Sequence, residues 1–208
     1  MSAVIETSHL VEPLFGVFDG QNLKLRQISV KEYDAMIKNG VFDEDDRIEL
    51  LNGAIIEKMP KGTKHAAIND IIATRLIQKL GEIACVRNQN PIWLDEFSEP
   101  EPDIVLAEPP LESYYNRHPT PEDIFLILEI SDSTLNYDRR AKSLAYSKAG
   151  IRQYLLLNVQ EQTLEDYRHP GADGFQSKQT YRAGQEFNLV AFPEIAVQVS
   201  DFLPKINI

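Results

Sequence analysis

The sequence predicts an α/β domain built on a mixed central sheet. One indication is the apolar run IFLILEIS at 124–131, followed by a helical stretch ending at Gly150 and a second apolar run, QYLLLNV, at 153–159. A strand, a helix and a strand within so short a segment form a crossover unit whose strands are parallel and adjacent. The other indication is Asn52-Gly53, which lies between two apolar stretches and favours the two-residue turn of an antiparallel hairpin.

The chain divides into an N-terminal extension, residues 1–28, and a single domain over residues 29–208. The extension has scattered apolar residues and a turn signal at Asp19-Gly20, which indicates an irregular or hairpin-like segment. The remaining length suits one compact domain with a substantial core, and it contains no repeat or low-complexity stretch.

Two helices and a hairpin open the domain. Ser29 caps the first helix, Glu32 is its reciprocal capping residue, and Gly40 ends it. The hairpin lies in RIELLNGAIIEK, residues 47–58. Over 63–81, apolar residues recur at spacings of three and four, which predicts a helix with one buried face.

The strands of the sheet follow these elements. We predict one from Val86 to Leu94 and another in DIVLA at 103–107, then a loop over 108–122, where four prolines exclude a helix or a central strand. After the crossover unit, residues 163–181 suggest a hairpin around the turn G-A-D-G, and a short apolar strand precedes the C-terminal FLP.

The composition is that of an ordinary globular protein, with 43% hydrophobic and 25% charged residues. The longest apolar runs are strand-sized, so the sequence predicts no membrane-spanning segment. The first residues, MSAVIETSHLVEP, carry neither a basic leader nor a long apolar stretch, which leads us to expect a cytoplasmic protein. Cys85 is the only cysteine, and the scattered histidines lack the spacings of the usual zinc sites.

The formal net charge of −11 argues against a nucleic-acid partner, because phosphate binding depends on Lys and Arg. The net charge is a mean over the whole surface, however. A carboxylate site that recruits a divalent cation turns local negative charge into a place where phosphate binds. The charge therefore weakens the case for a nuclease without deciding it.

Two acidic residues stand where the pattern predicts buried strands. Glu129 lies among Ile, Phe and Leu, so its carboxylate loses hydration unless a cation, an arginine or an open strand end compensates it. Asp103 follows Pro102 at the start of DIVLA, although an acid before a strand is also common in turns. Carboxylates converging from adjacent strands would suit a hard cation such as Mg²⁺ or Mn²⁺.

Three further residues have both a functional and a structural interpretation. Lys142 lies in the helix after the Glu129 strand, but Asp138, four residues earlier, would equally make a surface ion pair with it. Glu49 lies between apolar residues of the hairpin, although strand alternation also allows it to face solvent. His65, at a helix start, is either a base or phosphate contact or a structural polar residue.

A series of motifs resembles the Uma family, a group of restriction-endonuclease relatives in the PD-(D/E)XK nuclease superfamily. In order they are RIELLNGAIIEK, His65 at a helix start, EPDIVL, FLILEISDST and YDRRAKSLAYSKAGIRQYLLLN. The resemblance covers about residues 29–200, and the order and spacing make it specific. It implies a restriction-endonuclease-like core, a mixed β-sheet flanked by α-helices, with an N-terminal helix and β-hairpin.

The resemblance also implies roles for single residues. Asp103, after Pro102, matches the P-D element, and Glu129 matches the (D/E) element. Ser131 stands where the general superfamily pattern has a lysine. In the Uma branch that serine is usual, and Lys142 matches the lysine from the following helix that replaces it.

Glu49 and His65 match further site residues of the family, while Asp138 and Tyr146 match positions whose role is less defined. What the resemblance implies is a Mg²⁺- or Mn²⁺-dependent endonuclease that hydrolyses phosphodiester bonds, with DNA as its substrate. The metal ligands would be Asp103 and Glu129, with Glu49 directly or through water. Analogy with the superfamily also suggests a homodimer.

Other basic and aromatic residues are candidates for substrate binding, although each is equally an ordinary surface residue. A basic strip would consist of Arg139, Arg140, Lys148 and Arg152, and a substrate loop of Tyr114, Tyr115 and Arg117. One rival interpretation is a catalytically silent nuclease-fold module for binding or assembly. Another is glycoside hydrolysis by paired carboxylates without metal, which predicts aromatic residues around the site, yet Trp93 is the only tryptophan.

Overall fold

A computed structural model describes residues 15–18, 21–43 and 45–204 of the chain. The strands are β1 (Phe15–Phe18), β2 (Gln21–Lys24), β3 (Ile48–Leu51), β4 (Ala54–Glu57), β5 (Cys85–Asn88), β6 (Ile104–Ala107), β7 (Ile124–Ser131), β8 (Gln153–Asn158), β9 (Thr163–Arg168), β10 (Ser177–Arg182), β11 (Glu186–Asn188) and β12 (Ala196–Gln198). The helices are α1 (Val30–Lys38), α2 (Thr63–Leu80), α3 (Leu135–Tyr137) and α4 (Ser143–Lys148), with short 3₁₀ turns at Leu111–Tyr114, Pro121–Asp123 and Val199–Phe202.

The central sheet has six strands in the order β10-β9-β8-β7-β6-β5. Only β7 and β8 are parallel, as expected for strands joined by a helical crossover, and the other neighbours are antiparallel. The predicted α/β class with a mixed sheet is therefore confirmed, as is the hairpin formed by β9 and β10.

Helices cover both faces of this sheet. On one face, Ile72 of α2 packs into a cluster with Leu128 of β7. On the other face, Tyr146 of α4 packs with Ile127 and with Tyr154, whose ring centroid lies 5.1 Å away. Because successive strand residues alternate between faces, Leu128 and Ile127 mark the two sides of β7.

The predicted features before the sheet are also present. Ser29 and Glu32 form a reciprocal capping box at the start of α1. Asn52 and Gly53 have φ values of 51° and 78°, as a type I′ turn between β3 and β4 requires. β1 and β2 pair as an antiparallel hairpin, while the turn signal at Asp19-Gly20 lies outside the described residues.

The structure corrects two boundaries. The strand predicted from Val86 to Leu94 ends at Asn88, because Gln89 has a φ of 52° and turns the chain out of the sheet. The helix predicted between the parallel strands is interrupted by a π-helical turn, Asp138–Lys142, between α3 and α4. No helix in the described part of the chain is long and apolar enough to span a membrane.

Candidate active site

Asp103 and Glu129 project from the same face of the sheet. β6 and β7 are antiparallel with Ile104 opposite Leu128, so Asp103 and Glu129 are the next facing positions. The two are linked through the backbone: the Ile130 amide donates to Asp103 Oδ2 at 2.9 Å, and the Asp103 amide approaches Glu129 Oε2 at 3.4 Å. The sequence prediction that these carboxylates converge from adjacent strands agrees with this geometry.

Glu129 is buried, with only 4% of its surface exposed. Burial, opposed by the Lys142 ammonium and aided by the nearby Asp103 carboxylate, raises its pKa from 4.5 to about 7. Its Oε1 accepts from Lys142 Nζ at 2.9 Å and from the Tyr146 hydroxyl at 2.7 Å. The alternative of a solvated acid at a strand end is therefore wrong, since this carboxylate is compensated by a cation inside the protein.

Lys142 lies at the end of the π-helical turn and is 5% exposed. Its Nζ lies 2.9 Å from Glu129 Oε1 and 3.3 Å from Glu49 Oε1. Burial lowers its pKa, but the Glu129 and Glu49 carboxylates outweigh burial and hold the pKa well above its usual value. The alternative of a surface pair with Asp138 is wrong, because the Asp138 carboxylate instead accepts from the Thr134 hydroxyl at 2.6 Å.

The β3–β4 hairpin delivers Glu49 to the same point. Glu49 is 2% exposed, so it does not face solvent. Its Oε2 accepts from the Glu101 amide at 3.1 Å, and its Oε1 accepts from the Tyr137 hydroxyl at 3.3 Å. Lys142 thus joins carboxylates from two separate sheets, the hairpin and the central sheet.

His65 lies in the first turn of α2 and also contacts the Asp103 carboxylate. Its Nε2 lies 3.0 Å from Asp103 Oδ2. Burial disfavours the imidazolium, but the hydrogen bond and the charge of Asp103 leave the pKa of His65 raised. Burial likewise opposes ionisation of Asp103, while the hydrogen bond and charge of His65 leave the pKa of that carboxyl lowered. Asp103 is therefore held as a carboxylate.

These side chains lie in one cleft of about 240 Å³. One wall is the segment 57–62 between β4 and α2, and the other is the segment 132–134 after β7. The five residues predicted for the site line the cleft together: Glu49, His65, Asp103, Glu129 and Lys142. Acidic side chains outnumber basic ones along its described lining.

The other substrate-binding candidates lie elsewhere. Neither the proposed basic strip nor the proposed tyrosine loop contributes to the cleft lining. Arg139 instead forms a double hydrogen bond with Glu165. Tyr114 is buried, and the guanidinium groups of Arg87 and Arg117 each lie 5.2 Å from the centroid of its ring. Besides Lys142, the lysines that line the cleft are Lys58 and Lys61, neither of which was predicted as a site residue from the sequence.

Tyr137 is a second residue that sequence reasoning missed. It lines the cleft, donates to Glu49 and has its ring 5.9 Å from Lys142 Nζ. The only signal in the sequence was its position beside Asp138 in a family motif. Helical periodicity does not predict the π-helical turn that follows Tyr137. Glu101 and Gln89 were also missed, because their contacts with Glu49 and Asp103 arise from loops.

The oxygen atoms of the site meet the needs of a divalent cation in part. Within the described ranges, no three His, Cys, Asp or Glu side chains form a metal-binding group. Mg²⁺ nevertheless keeps several waters and often takes only one or two carboxylates from the protein. Asp103 Oδ1 and Glu129 Oε2 have only long contacts of 3.3 and 3.4 Å among the described residues, which leaves them free to accept. Asp103 and Glu129 therefore have oxygen atoms suited to such an ion. The larger set of metal ligands that includes Glu49 stays a prediction.

Comparison with known proteins agrees with the mixed α/β fold described above. A family model, Uma2, described as "Putative restriction endonuclease", matches residues 30–200. The crystal structure of "a putative nuclease belonging to DUF820" from Anabaena variabilis ATCC 29413 matches with a TM-score of 0.63 and 19% identity, covering 84% of this chain and 97% of that one. At this identity the likeness shows a shared fold. A search of curated proteins found no match.

Proposed function

The chain belongs to the Uma2 family of restriction-endonuclease relatives, and on this basis we propose that it is a metal-dependent endonuclease that hydrolyses phosphodiester bonds in DNA. The observation that carries the proposal is the convergence of five residues from separate segments on one cleft. Their side chains combine oxygen donors with a buried ammonium group, which is the chemistry that phosphodiester hydrolysis requires.

Asp103 and Glu129 would hold the cation, with Mg²⁺ or Mn²⁺ suited to their hard oxygen atoms. When bound, such an ion supplies Lewis acidity toward a phosphoryl oxygen and lowers the pKa of its water. Asp103 is prepared for this role by His65, whose hydrogen bond of 3.0 Å stabilises the carboxylate form. The cleft floor is partly screened from bulk water, which strengthens each of these electrostatic interactions.

Lys142 supplies the permanent positive charge of the site. Its ammonium group offsets the burial of the Glu129 and Glu49 carboxylates. In catalysis it would compensate charge that develops on a phosphoryl group. Tyr146 and Tyr137 orient its two carboxylate partners by donating to Glu129 and Glu49. Ser131 provides no cation at its position, so the Lys142 ammonium would take that role.

Metal binding and cleavage test the proposal. Calorimetry with Mg²⁺ and Mn²⁺, thermal melting with and without metal, and cleavage of single- and double-stranded DNA would be measured for the native chain and for Asp103→Asn. We expect metal to raise the melting temperature of the native chain and to support cleavage, because a ligand that binds the folded state stabilises it. Asp103→Asn should lose both responses while keeping its fold.

Asp173→Asn is a matched control, since Asp173 is exposed and lies outside the cleft. It should bind metal and cleave DNA as the native chain does. Absence of metal binding and cleavage in the native chain would instead favour the catalytically silent binding module, an alternative that the net charge of −11 supports. Equal cleavage by the native chain and Asp103→Asn would also reject the proposal.

A further inference from the structure

Two lysines at the mouth of the cleft share one carboxylate. Lys58 Nζ lies 3.1 Å from Glu101 Oε1, and Lys61 Nζ lies 3.8 Å from the same oxygen atom. Lys58 also donates to the Glu101 carbonyl oxygen at 3.0 Å. The side chains of Lys58 and Lys61 are only 16% and 18% exposed, so both extend along the cleft and not into open solvent.

Glu101 is the closest carboxylate to both lysines, but a single Glu101 oxygen atom is shared by two ammonium groups. Lys58 Nζ also lies 3.9 Å from Glu49 Oε2, so the buried Glu49 carboxylate supplies a second, longer contact to Lys58. Burial is the main cause that lowers the pKa of Lys61, and the charge of Lys58 lowers it further, against the opposing charges of Asp103 and Glu101. Successive phosphates of a nucleic-acid backbone would give each lysine an anionic partner of its own, which the single Glu101 carboxylate cannot do.

The position of Glu101 ties this pair to the cleft floor. Its amide donates to Glu49 Oε2 at 3.1 Å, and it precedes Asp103 by two residues. Its side chain is 29% exposed, so a bound group could displace it toward solvent without unfolding the segment. An anion bound at Lys58 and Lys61 would therefore lie next to the proposed catalytic carboxylates.

We propose that Lys58 and Lys61 bind the phosphodiester backbone of the substrate, and that the Glu101 carboxylate occupies them in the free protein until phosphate groups of that backbone replace it. The inference rests on the proposed nuclease function and adds the substrate contact that the acidic cleft otherwise lacks. It also offers a way for a protein of net charge −11 to bind a polyanion, because two cations lie together in the cleft and Glu101 masks them when no substrate is bound.

The test is DNA binding without turnover. Fluorescence anisotropy with a labelled duplex and the matching single strand would be measured in EDTA over a series of salt concentrations. Lys58→Gln/Lys61→Gln should weaken binding and reduce the slope of log K against log salt by about two, one for each phosphate that is no longer neutralised. Glu101→Gln should tighten binding about two- to fivefold, the range expected when a partly exposed ion pair no longer competes.

Lys31→Gln/Lys38→Gln is the matched control, because both lysines are exposed and neither lines the cleft. It removes the same charge and should change the slope far less than the cleft variant. Lys58→Arg/Lys61→Arg should retain binding. Circular dichroism melting would establish that each variant is folded before its binding is compared.

The outcomes separate this inference from the proposed function. Lysine-dependent binding without cleavage in any divalent metal would sustain the inference and overturn the nuclease. If the native chain cleaves DNA but Lys58→Gln/Lys61→Gln binds DNA as well as the control variant does, the inference is wrong and the proposed function stands. Weaker or unchanged binding by Glu101→Gln would reject the masking role of Glu101, and no binding of either DNA by the native chain would reject the inference entirely.

Discussion

Lys142 Nζ lies 2.9 Å from Glu129 Oε1, and both side chains are buried. Removing one member of a buried ion pair leaves an uncompensated charge, which typically costs about 3–5 kcal/mol. We therefore expect Lys142→Met to lower the free energy of unfolding by about this amount at neutral pH. Urea denaturation followed by circular dichroism would measure the loss.

A double variant separates the structural role of Lys142 from its proposed role in catalysis. Lys142→Met/Glu129→Gln removes both charges of this pair, so it should be more stable than Lys142→Met alone, although Glu49 still loses its Lys142 contact. It should still lack nuclease activity. If the double variant is no more stable than the single one, the pair does not account for the effect.

Tyr146 and Tyr154 offer a matched comparison of buried hydroxyl groups. The Tyr146 hydroxyl donates to the Glu129 carboxylate at 2.7 Å, whereas the Tyr154 hydroxyl donates to the Asp138 carbonyl oxygen at 3.2 Å. Because hydrogen bonds to charged groups are stronger, Tyr146→Phe should cost about 1.5–3 kcal/mol and Tyr154→Phe about 0.5–1.5 kcal/mol. Chemical denaturation would measure the loss of stability in each variant. A larger loss in Tyr154→Phe than in Tyr146→Phe would argue that Glu129 is protonated in the folded protein.

His65 is expected to act through Asp103. Replacing it with Gln removes the imidazole that stabilises the Asp103 carboxylate, and removal of such a supporting group typically costs about 10–100-fold in metal affinity or activity. Calorimetry with Mn²⁺ would measure the affinity. His118→Gln, outside the cleft lining, should leave it unchanged; an equal loss in both variants would exclude a specific role for His65.

Glu99 makes the stability depend on pH in a definite direction. Burial, and next the charge of Asp34, raises the pKa of Glu99 from 4.5 to about 7. Between these values the folded protein holds the Glu99 proton more tightly than the unfolded chain does. Its contribution to stability is thus most favourable at acidic pH and declines as pH rises through that window, by at most about 1.4 kcal/mol per pH unit.

Glu99→Gln should remove that decline. Urea unfolding at a series of pH values would show the variant gaining stability relative to the native chain as pH increases. Parallel pH profiles for the two proteins would mean that Glu99 titrates alike in the folded and unfolded states.

The hairpin turn has a steric requirement for glycine. Gly53 has a φ of +78°, and a Cβ atom there would lie 2.5 Å from Gln27 Cβ. Gly53→Ala should therefore destabilise the protein by more than about 1 kcal/mol, since the backbone conformation and the steric overlap both oppose it. Gly62→Ala is the control, because a Cβ atom at that position would have no other atom within 4 Å. Similar thermal stability of the two variants would contradict this account.

The sequence by itself determined the elements that depend on local chemistry. Ser29 and Glu32 cap a helix, Asn52-Gly53 turns a hairpin, and the apolar runs on either side of a helix produce parallel strands. It also identified Asp103 and Glu129, because carboxylates at buried strands require compensation.

Only the tertiary structure decided which partner each charged residue takes. Local spacing allowed Lys142 to pair with Asp138, but the π-helical turn and the packing of the helix on the sheet bring it to Glu129 and Glu49. The contact of Lys58 and Lys61 with Glu101 joins segments about 40 residues apart in sequence, so no local pattern specifies it. Short-range rules determine helices, strands and turns, whereas the balance between burying a charge and pairing it depends on distances that exist only in the folded chain.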